Sequence, residues 1–393
     1  MLIMANLFYK CVELSLWCVF SVALLSFIYL VMLAVNGVKV QRRKGYQDQP
    51  HFSILISVYN EELTLPSLLD SLENLDYPKS LISVLFVADH CTDNTVLVIK
   101  KSGFRVIERT GGELGKAVSI KYGINKIMDG MKGDGGYLAI FDADNVIDSD
   151  FLNSIVRALS KNIMVYQGNT TIENKYQSIF TRLNYINYCA TNRFKELARS
   201  QAGLSCRLRG QGMVFNKSII DQFSWDASTL VEDQEMLIDL VLKDYRVSWV
   251  YDAHVGSVIP SSISDSFVQR KRWSGGKNEI ALSAIIRLLK KSIKDFDIVA
   301  LDLMIDFLLP SYSVLICMIM LGTALSAIFL ETTSFLVFGF IGLLVAFFTY
   351  YLLAARLESI PLKILFSIVF SPAYIVWRGW VFLLSLRGAK YWR

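Results

Sequence analysis

The sequence predicts an α/β protein, with a doubly wound, mainly parallel sheet in the cytoplasm and transmembrane and interfacial helices at both ends. Apolar residues make up 53% of the chain and are concentrated in about its first forty and last hundred positions. The middle of the chain alternates short apolar runs with helical patterns, as βα repeats do. Polar and acidic residues follow these runs, at the strand ends where open α/β sheets bind ligands.

The first apolar segment has the length of a membrane-spanning helix. From Leu14 to Val35 no residue is charged, and about twenty residues cross the hydrocarbon core. A cleaved signal peptide fits poorly, because the segment is too long and Lys10 is offset by Glu13. The basic run Gln41-Arg42-Arg43-Lys44 marks the cytoplasmic side. Residues 1–45 are therefore predicted to be a transmembrane helix with a basic flank.

The middle domain, predicted over residues 46–264, has the alternation typical of a parallel sheet. The predicted strands are 52–58, 82–88, 104–108 and the apolar run from Tyr137 that leads to Asp142. The predicted helices are 63–75, 93–101 and 115–128. Neither Gly-x-Gly-x-x-Gly after the first strand nor Gly-x-x-x-x-Gly-Lys-Ser/Thr occurs. This argues against a dinucleotide cofactor and against P-loop chemistry.

Two further spans are predicted near 298–330 and 335–354. Asp302 and Asp306 fall in the first of them, four residues apart. Either the helix enters the bilayer only after them, near Pro310, which we favour, or they face the protein interior.

The last apolar stretch, Ile364 to Leu386, has two interpretations. A straight span would place the basic residues of 387–393 outside, against the positive-inside rule. Ser371-Pro372 breaks the stretch and Arg378 interrupts its second half. We favour a re-entrant or interfacial helix pair that ends in the cytoplasm, within a C-terminal region of 298–393.

The charge distribution and the cysteine content indicate which partners and which cell compartment to expect. The net charge is +5, and basic residues cluster beside the apolar runs. This pattern indicates an anionic membrane face and no nucleic-acid partner. The six cysteines include no Cys-x-x-Cys pair, so a disulfide framework or zinc site is not expected and the middle domain is assigned to a reducing cytoplasm.

The most informative motif is Asp142-Ala143-Asp144, directly after a predicted buried strand. Two Asp at i and i+2 point to the same side of an extended backbone. They can bind a hard divalent cation whose other positions are filled by phosphate oxygens. Taken alone, the motif is more often a solvated turn.

Other strand ends carry polar runs of the same kind. They are Ser57-Val58-Tyr59-Asn60-Glu61-Glu62, Ala88-Asp89-His90-Cys91-Thr92-Asp93-Asn94 and Gly111-Gly112-Glu113-Leu114-Gly115-Lys116. Together these side chains could hold a ribose, a base and a diphosphate. The alternative makes Thr92 or Asp93 a helix cap, and Glu61 and Glu62 charges favoured by the helix dipole.

Five motifs follow one another along the chain: Val58-Tyr59-Asn60-Glu61-Glu62, the Asp89 strand end, Asp142-Ala143-Asp144, Val231-Glu232-Asp233 and Gln269-Arg270-Lys271-Arg272-Trp273. In this order they resemble family 2 glycosyltransferases with a GT-A fold, especially the membrane-integrated branch of cellulose and hyaluronan synthases. The resemblance covers about residues 52–276.

The resemblance implies a nucleotide-sugar site, with UDP as the expected nucleotide. Its implied residues are Tyr59, Glu61, Asp89, Lys116, Asp142 and Arg272. Asp144 would coordinate Mg²⁺ or Mn²⁺ on the diphosphate. Charge on a departing diphosphate is stabilised by a metal and nearby cations, and Lys116 and Arg272 are the candidate cations.

The resemblance also places the catalytic base, which accepts a proton from the acceptor hydroxyl, at Asp233. Locally, Thr229-Leu230-Val231-Glu232 fits a capping box at the start of a helix, with Glu232 as a cap. Asp233 would then lie in the first turn, where the dipole lowers its pKa and keeps it ionised. Val231 stands where the family usually has Thr.

Two segments are expected to bind the acceptor. Gly210, Gln211 and Gly212 resemble an acceptor loop, although a simple turn is the alternative. By resemblance, Gln269, Arg270 and Trp273 bind the acceptor near the membrane. They begin residues 265–297, whose apolar and basic residues predict interfacial helices.

The leading hypothesis is therefore an inverting glycosyltransferase that extends a polysaccharide or glycan from a nucleotide sugar at the inner membrane face. The alternatives are transfer of one sugar to a lipid-linked acceptor, and a non-catalytic nucleotide-binding transporter or scaffold. The expected location is the cell membrane, multi-pass, with a cytoplasmic catalytic domain. A homo-oligomer is left open.

Overall fold

The computed structural model describes residues 2–42, 48–128, 136–223, 225 and 231–385. The described residues form one mixed sheet in the order β3-β2-β1-β4-β7-β6-β8-β5. Its strands are β1 Phe52–Val58, β2 Ile82–Asp89, β3 Arg105–Arg109, β4 Tyr137–Asp142, β5 Asn145–Ile147, β6 Val165–Ile172, β7 Met213–Asn216 and β8 Val247–Ser257.

The sheet changes character at β7. Strands β3, β2, β1 and β4 run parallel to one another, as predicted. Beyond them β7 runs antiparallel to both β4 and β6, β8 is parallel to β6, and β5 is antiparallel to β8. The α/β fold class is confirmed, with its parallel pairings concentrated in the first half, where each connection is a helix.

Helices cover both faces of the sheet and continue beyond it. They are α1 Leu2–Val35, α2 Leu65–Glu73, α3 Thr95–Lys101, α4 Lys116–Met128, α5 Phe151–Ala158, α6 Ile179–Thr191, α7 Ala198–Gln201, α8 Lys217–Gln222, α9 Glu232–Leu242, α10 Ile263–Asp295, α11 Ile298–Leu308, α12 Tyr312–Ile328, α13 Leu330–Leu357, α14 Leu362–Leu365 and α15 Ser371–Ser385. A π-helical segment, Asn192–Leu197, joins α6 to α7.

Alternation along β1 divides the core between the two faces of the sheet. Ile54 and Ile56 pack with α2 and α5, whose contributions include Leu68 and Phe151. Leu55 points the other way and belongs to the cluster formed by α4, α9, α10 and α11. The helices after the sheet therefore share a core with the domain that carries the strand ends.

Three helices in the described part of the chain are long and apolar enough to cross a membrane. They are Leu7–Val35, Thr333–Leu357 and Leu362–Ser385. A fourth span is formed if α11 and α12, which meet at an angle of 54°, are taken together. At the predicted break, Ser371-Pro372, a 3₁₀ segment that ends at Phe370 is followed by helix α15. Pro372 lies in the first turn of α15, where proline is tolerated. The basic residues of 387–393 lie outside the described residues.

Asp302 and Asp306 lie on α11, before the bend. Asp302 pairs with Arg199 at 2.9 Å, and Asp306 contacts Arg199 at 2.9 Å as well as Lys195 and Arg207. Both carboxylates are buried. Of the two interpretations, the one in which Asp302 and Asp306 face the protein interior agrees with the structure. Helix α12 begins at Tyr312, just beyond Pro310, where we expected the chain to enter the bilayer.

Candidate active site

A cavity of about 600 Å³ opens at the carboxyl ends of β1 and β4. Its walls come from these strand ends, α4, α6, the segment before β7, the start of α9, and α10. Eleven residues expected from the sequence line it: Tyr59, Glu61, Lys116, Asp142, Asp144, Gly210, Gln211, Asp233, Gln269, Arg272 and Trp273. Three others, Asp89, Gly212 and Arg270, are not among its lining residues.

Lys116 is the central cation of the cavity. Its Nζ lies 2.6 Å from Asp142 Oδ1 and 3.4 Å from Glu232 Oε1, and it donates to the Gly210 carbonyl at 3.3 Å. Burial alone lowers the pKa of Lys116, but Asp142 and Glu232 outweigh burial and hold it above its usual value. Lys116 is therefore a fixed positive charge that joins the end of β4 to the start of α9.

The turn after β4 is held by Asn145. Its Oδ1 accepts from the Asp142 backbone N–H at 2.9 Å, and its Nδ2 donates to Asp144 Oδ1 at 3.1 Å and to the Gln211 amide oxygen. Burial, followed by the charge of Asp142, raises the pKa of Asp144 to about 7. Two neighbouring carboxylates therefore disfavour each other's negative charge here, and a bound cation would relieve that repulsion.

These oxygens fit a hard divalent cation such as Mg²⁺ or Mn²⁺. Among the described residues, no group of three or more His, Cys, Asp or Glu side chains is arranged to hold a metal by itself. Two carboxylates leave most of the coordination positions free. The donor set is thus suited to an ion that shares its ligands with a diphosphate.

Asp233 has a partly buried carboxylate at the start of α9. Its Oδ1 accepts from the Gln234 backbone N–H at 2.8 Å. Burial, followed by the charge of Glu232, raises its pKa to about 7, against an opposing contribution from Lys116. The prediction that the helix dipole lowers this pKa is wrong, because burial and the neighbouring carboxylate outweigh a dipole effect of about 1 kcal/mol.

The predicted capping box is also wrong. Helix α9 begins at Glu232 with Val231 as its N-cap and no capping side chain. Glu232 is thus the first helical residue and cannot serve as the third-position cap, and Thr229 lies outside the described residues. The Glu232 carboxylate approaches Lys116 instead of capping the helix.

The segment before β7 needs glycine at two positions. Gly210 has φ +74°, and a Cβ there would lie 3.3 Å from Lys116 Nζ and 3.8 Å from Asp233 Oδ2. Gly212 has φ +63°, and its Cβ would lie 2.7 Å from Val255 Cγ1. Gly210 therefore lets the backbone pass between the cation and Asp233, whereas Gly212 serves packing behind the cavity wall.

Asp89 lies behind the cavity wall and contacts residues that position the site. It is buried, forms an ion pair with Arg109 at 2.9 Å, and accepts from the Gly115 backbone N–H at 3.0 Å. Because Gly115 precedes Lys116, Asp89 helps to position that lysine. Its carboxylate is occupied by these partners and does not reach the cavity wall.

Several cavity residues had no assigned role in the sequence-based interpretation. Glu196, Arg207 and Lys277 line the cavity from the π-helical segment, the segment before β7, and α10. Burial, followed by the charge of Arg207, lowers the pKa of Lys277 to about 7. No local pattern marks them, because they converge only in the folded chain. Asn145 had a signal, since Asn favours turns.

The strands carry a polar cavity at their carboxyl ends, where open α/β sheets bind ligands. The chain belongs to glycosyl transferase family group 2, whose sequence model matches residues 137–386. It is therefore a glycosyltransferase.

Curated relatives agree with this family. The chain is 28% identical over 247 residues to poly-β-1,6-N-acetyl-D-glucosamine synthase of Staphylococcus epidermidis RP62A, covering 61% of this chain and 58% of that protein. It is 25% identical over 244 residues to the synthase of the same name from Staphylococcus aureus COL, covering 61% and 57%. The matched part is thus a little over half the length of these relatives.

A solved structure agrees with the fold over nearly the whole chain. The mannosyltransferase PcManGT from Pyrobaculum calidifontis, solved with GDP-Man and Mn²⁺, superposes with a TM-score of 0.59 at 16% identity. The match covers 92% of this chain and 98% of that one. The expected GT-A fold is confirmed.

Proposed function

We propose that the protein transfers a sugar, with inversion at the anomeric carbon, from a UDP-sugar to a growing polysaccharide at the inner membrane face. The observation that carries this proposal is the position of Lys116, which contacts Asp142 and Glu232 and lies beside Gly210, next to Asp233. It brings a diphosphate-binding cation and a base into one cavity. N-acetylglucosamine is the first donor sugar to test, because the staphylococcal relatives are named for its polymer.

In this proposal Asp233 accepts the proton of the acceptor hydroxyl while that oxygen bonds to the anomeric carbon. The bond between this carbon and the diphosphate oxygen breaks, and UDP leaves with the electron pair. Lys116 and Arg272 stabilise the charge that gathers on the diphosphate. Tyr59 and Glu61 hold the nucleoside.

Asp142 and Asp144 would hold the Mg²⁺ or Mn²⁺ ion. When bound, the ion supplies positive charge that neutralises the diphosphate. The presence of Mn²⁺ in the mannosyltransferase of similar fold supports this assignment.

We assign the transfer chemistry to residues 46–264, with residues 265–297 as interfacial helices and membrane helices in 1–45 and 298–393. The core that α10 and α11 share with the sheet domain supports a cavity that faces the membrane surface. The basic residues beside the apolar helices favour a cytoplasmic location for this domain.

The second candidate function is transfer of a single sugar to a lipid-linked acceptor. Product length distinguishes the two: a ladder of long products indicates polymerisation, and one added sugar indicates the second candidate. The transporter hypothesis loses its main support, because Asp302 and Asp306 are ion-paired to Arg199.

A donor panel tests the proposal. Purified protein with Mn²⁺ is expected to release nucleotide from UDP-N-acetylglucosamine faster than from UDP-glucose or GDP-mannose, and to give a glycan sensitive to hexosaminidase. Product analysis by mass spectrometry gives the sugar and the number added. Release from GDP-mannose alone would overturn the choice of donor, and release from none of them would overturn the proposed function.

The pH profile is expected to follow Asp233. The base must be ionised, and the pKa of Asp233 is raised to about 7, so turnover should fall about tenfold per pH unit below 7 and level off above it. The charged groups facing Asp233 are Glu232 and Lys116. The measurement is kcat from pH 5.5 to 8.5 at saturating metal and donor. A rate that rises as the pH falls would contradict the assignment.

A further inference from the structure

One wall of the catalytic cavity carries a cation that the proposed reaction does not use. Lys277 lies on α10, two turns after Gln269 and one turn after Trp273, and all three side chains line the cavity. Residues at this spacing share one face of a helix. Since a helix rises about 1.5 Å per residue, Lys277 extends this row of lining residues by about 6 Å beyond Trp273.

Lys277 lies on the side of the cavity that faces the helices after the sheet. Its Nζ is 5.5 Å from the centroid of the Phe307 ring on α11. Arg207, which lines the same cavity, donates to the carboxylate and to the backbone carbonyl of Asp306, the preceding residue of α11. The strand ends that we assign to the nucleotide sugar form a different wall. Lys277 therefore faces the part of the cavity that is left for the acceptor.

The Lys277 ammonium has no carboxylate of its own. It is half-buried, and within the described part of the chain no ion pair includes it. Asp306 is the carboxylate that most raises its pKa, but three other cations already pair with Asp306. An ammonium group that loses water on burial needs other oxygen atoms in its place. A ligand in the cavity can supply them.

The cavity wall around Lys277 suits hydroxyl groups better than it suits an anion. Glu196 lines the cavity too, and its carboxylate pairs with Arg209 at 3.2 Å and accepts from the Arg207 backbone N–H at 2.9 Å. A negative charge in the same cavity disfavours an anionic ligand, whereas sugar hydroxyls both donate and accept hydrogen bonds. Tyr188 and Trp273 add aromatic surfaces with a polar group. Such a mixture is typical of a site for a neutral sugar.

The segment before β7 connects this wall to the proposed base. Arg207 precedes Gly210 by three residues, so their Cα atoms are at most about 11 Å apart. A Cβ at Gly210 would lie 3.8 Å from Asp233 Oδ2. A short acceptor glycan can therefore contact Lys277 while its reacting hydroxyl meets Asp233.

We propose that Lys277 binds the acceptor glycan, with its ammonium group donating hydrogen bonds to acceptor hydroxyls while Trp273 contacts the sugar ring. This inference rests on the proposed function and adds a specificity-determining residue to the same site. Lys277 lies outside the five motifs that point to the family, which end at Trp273. An ammonium group has three donors and no acceptor, so Lys277 orients the acceptor and takes no part in the proton transfer to Asp233.

Lys277→Met is expected to raise the acceptor KM about tenfold or more, as the loss of a charge-assisted hydrogen bond predicts. The acceptor is β-1,6-linked tri-N-acetylglucosamine, at saturating UDP-N-acetylglucosamine and Mn²⁺. The kcat should stay within about threefold and the donor KM should not change, because only acceptor binding is lost. Lys277→Arg keeps the charge and N–H donors, and should return the acceptor KM to within about threefold of the parent value. A Lys277→Met protein with the parent's acceptor KM would overturn the proposal.

The matched control is Lys290→Met, on the same helix. Lys290 is exposed and is not among the lining residues of the cavity. Its substitution should leave the acceptor KM at the parent value, and an equal rise in both variants would overturn the proposal. UDP binding by calorimetry shows that each variant keeps a folded donor site.

A pH series of the parent protein tests Lys277 without any substitution. The pKa of Lys277 is lowered to about 7, and the charged groups that act on it are Arg207, Asp306, Lys195 and Arg199. Its ammonium is therefore present below pH 7 and is lost above it. The acceptor kcat/KM should fall above pH 7 by about the factor that Lys277→Met produces, while kcat at saturating acceptor stays level. Lys277→Arg should remove this fall, since a guanidinium stays charged; a parent kcat/KM that stays constant up to pH 9 would overturn the proposal.

Failure of the proposed function differs from failure of the Lys277 assignment. Absence of transfer from every nucleotide sugar contradicts the proposed function. Binding of the trisaccharide in the presence of UDP, measured by calorimetry, does not depend on turnover and should weaken about tenfold or more in Lys277→Met. Transfer that proceeds with an unchanged acceptor KM in this variant contradicts the Lys277 assignment alone.

Discussion

Asp233→Asn is expected to reduce kcat about a thousandfold, within the range that general-base catalysis contributes. The amide keeps the shape of the side chain but cannot accept the acceptor's proton. Donor binding should change little, because Lys116 keeps both Asp142 and Glu232 as partners. The measurement is UDP release together with product formation at saturating donor and acceptor.

The matched control is Asp239→Asn, on the same helix α9. Asp239 is half exposed and pairs with Arg287 at 2.6 Å, away from the cavity. Its substitution should leave kcat within about twofold, as exposed ion pairs contribute little. If Asp233→Asn keeps more than a tenth of the parent rate, the base lies elsewhere.

Asp144→Asn is expected to have an effect of similar size through the metal. Loss of several kcal/mol of charge stabilisation corresponds to about a thousandfold in kcat. The half-saturating Mn²⁺ concentration should also rise, because the amide oxygen is a weaker ligand than a carboxylate. The measurement is turnover across a Mn²⁺ titration of chelator-treated protein, with UDP binding by calorimetry as a second readout.

Asp148→Asn is the control for this substitution. Asp148 is exposed in the same chain segment and accepts from the Asp150 backbone N–H at 3.0 Å, outside the cavity. It should retain the parent's metal response. An Asp144→Asn protein with the parent's Mn²⁺ dependence would remove Asp144 from the metal site.

Local patterns predicted much of the fold. The strand at Phe52–Val58 was predicted with its observed bounds, and the helix at 115–128 within one residue. The strand end that carries Asp142 and Asp144 followed from an apolar run and a polar turn. These features depend on residues close together in sequence, so periodicity and turn chemistry are enough to find them.

Charge balance was not predictable in the same way. The dipole argument gave the wrong direction for the pKa of Asp233, because the burial of this carboxylate depends on the whole cavity wall. Asp89 was expected to line the pocket, but its carboxylate pairs with Arg109 and accepts a hydrogen bond from the Gly115 N–H. The two roles differ only in which partners the folded chain supplies.

The sequence by itself determined the family, the order of the strand ends and the apolar helices, since each is written in neighbouring residues. Only the tertiary structure decided that Lys116 joins Asp142 to Glu232, that Asp306 is shared among three cations, and that Arg270 on α10 donates to Asn184 on α6. Electrostatic energy depends on distance and burial in space. Residues far apart in the chain acquire both only when it folds.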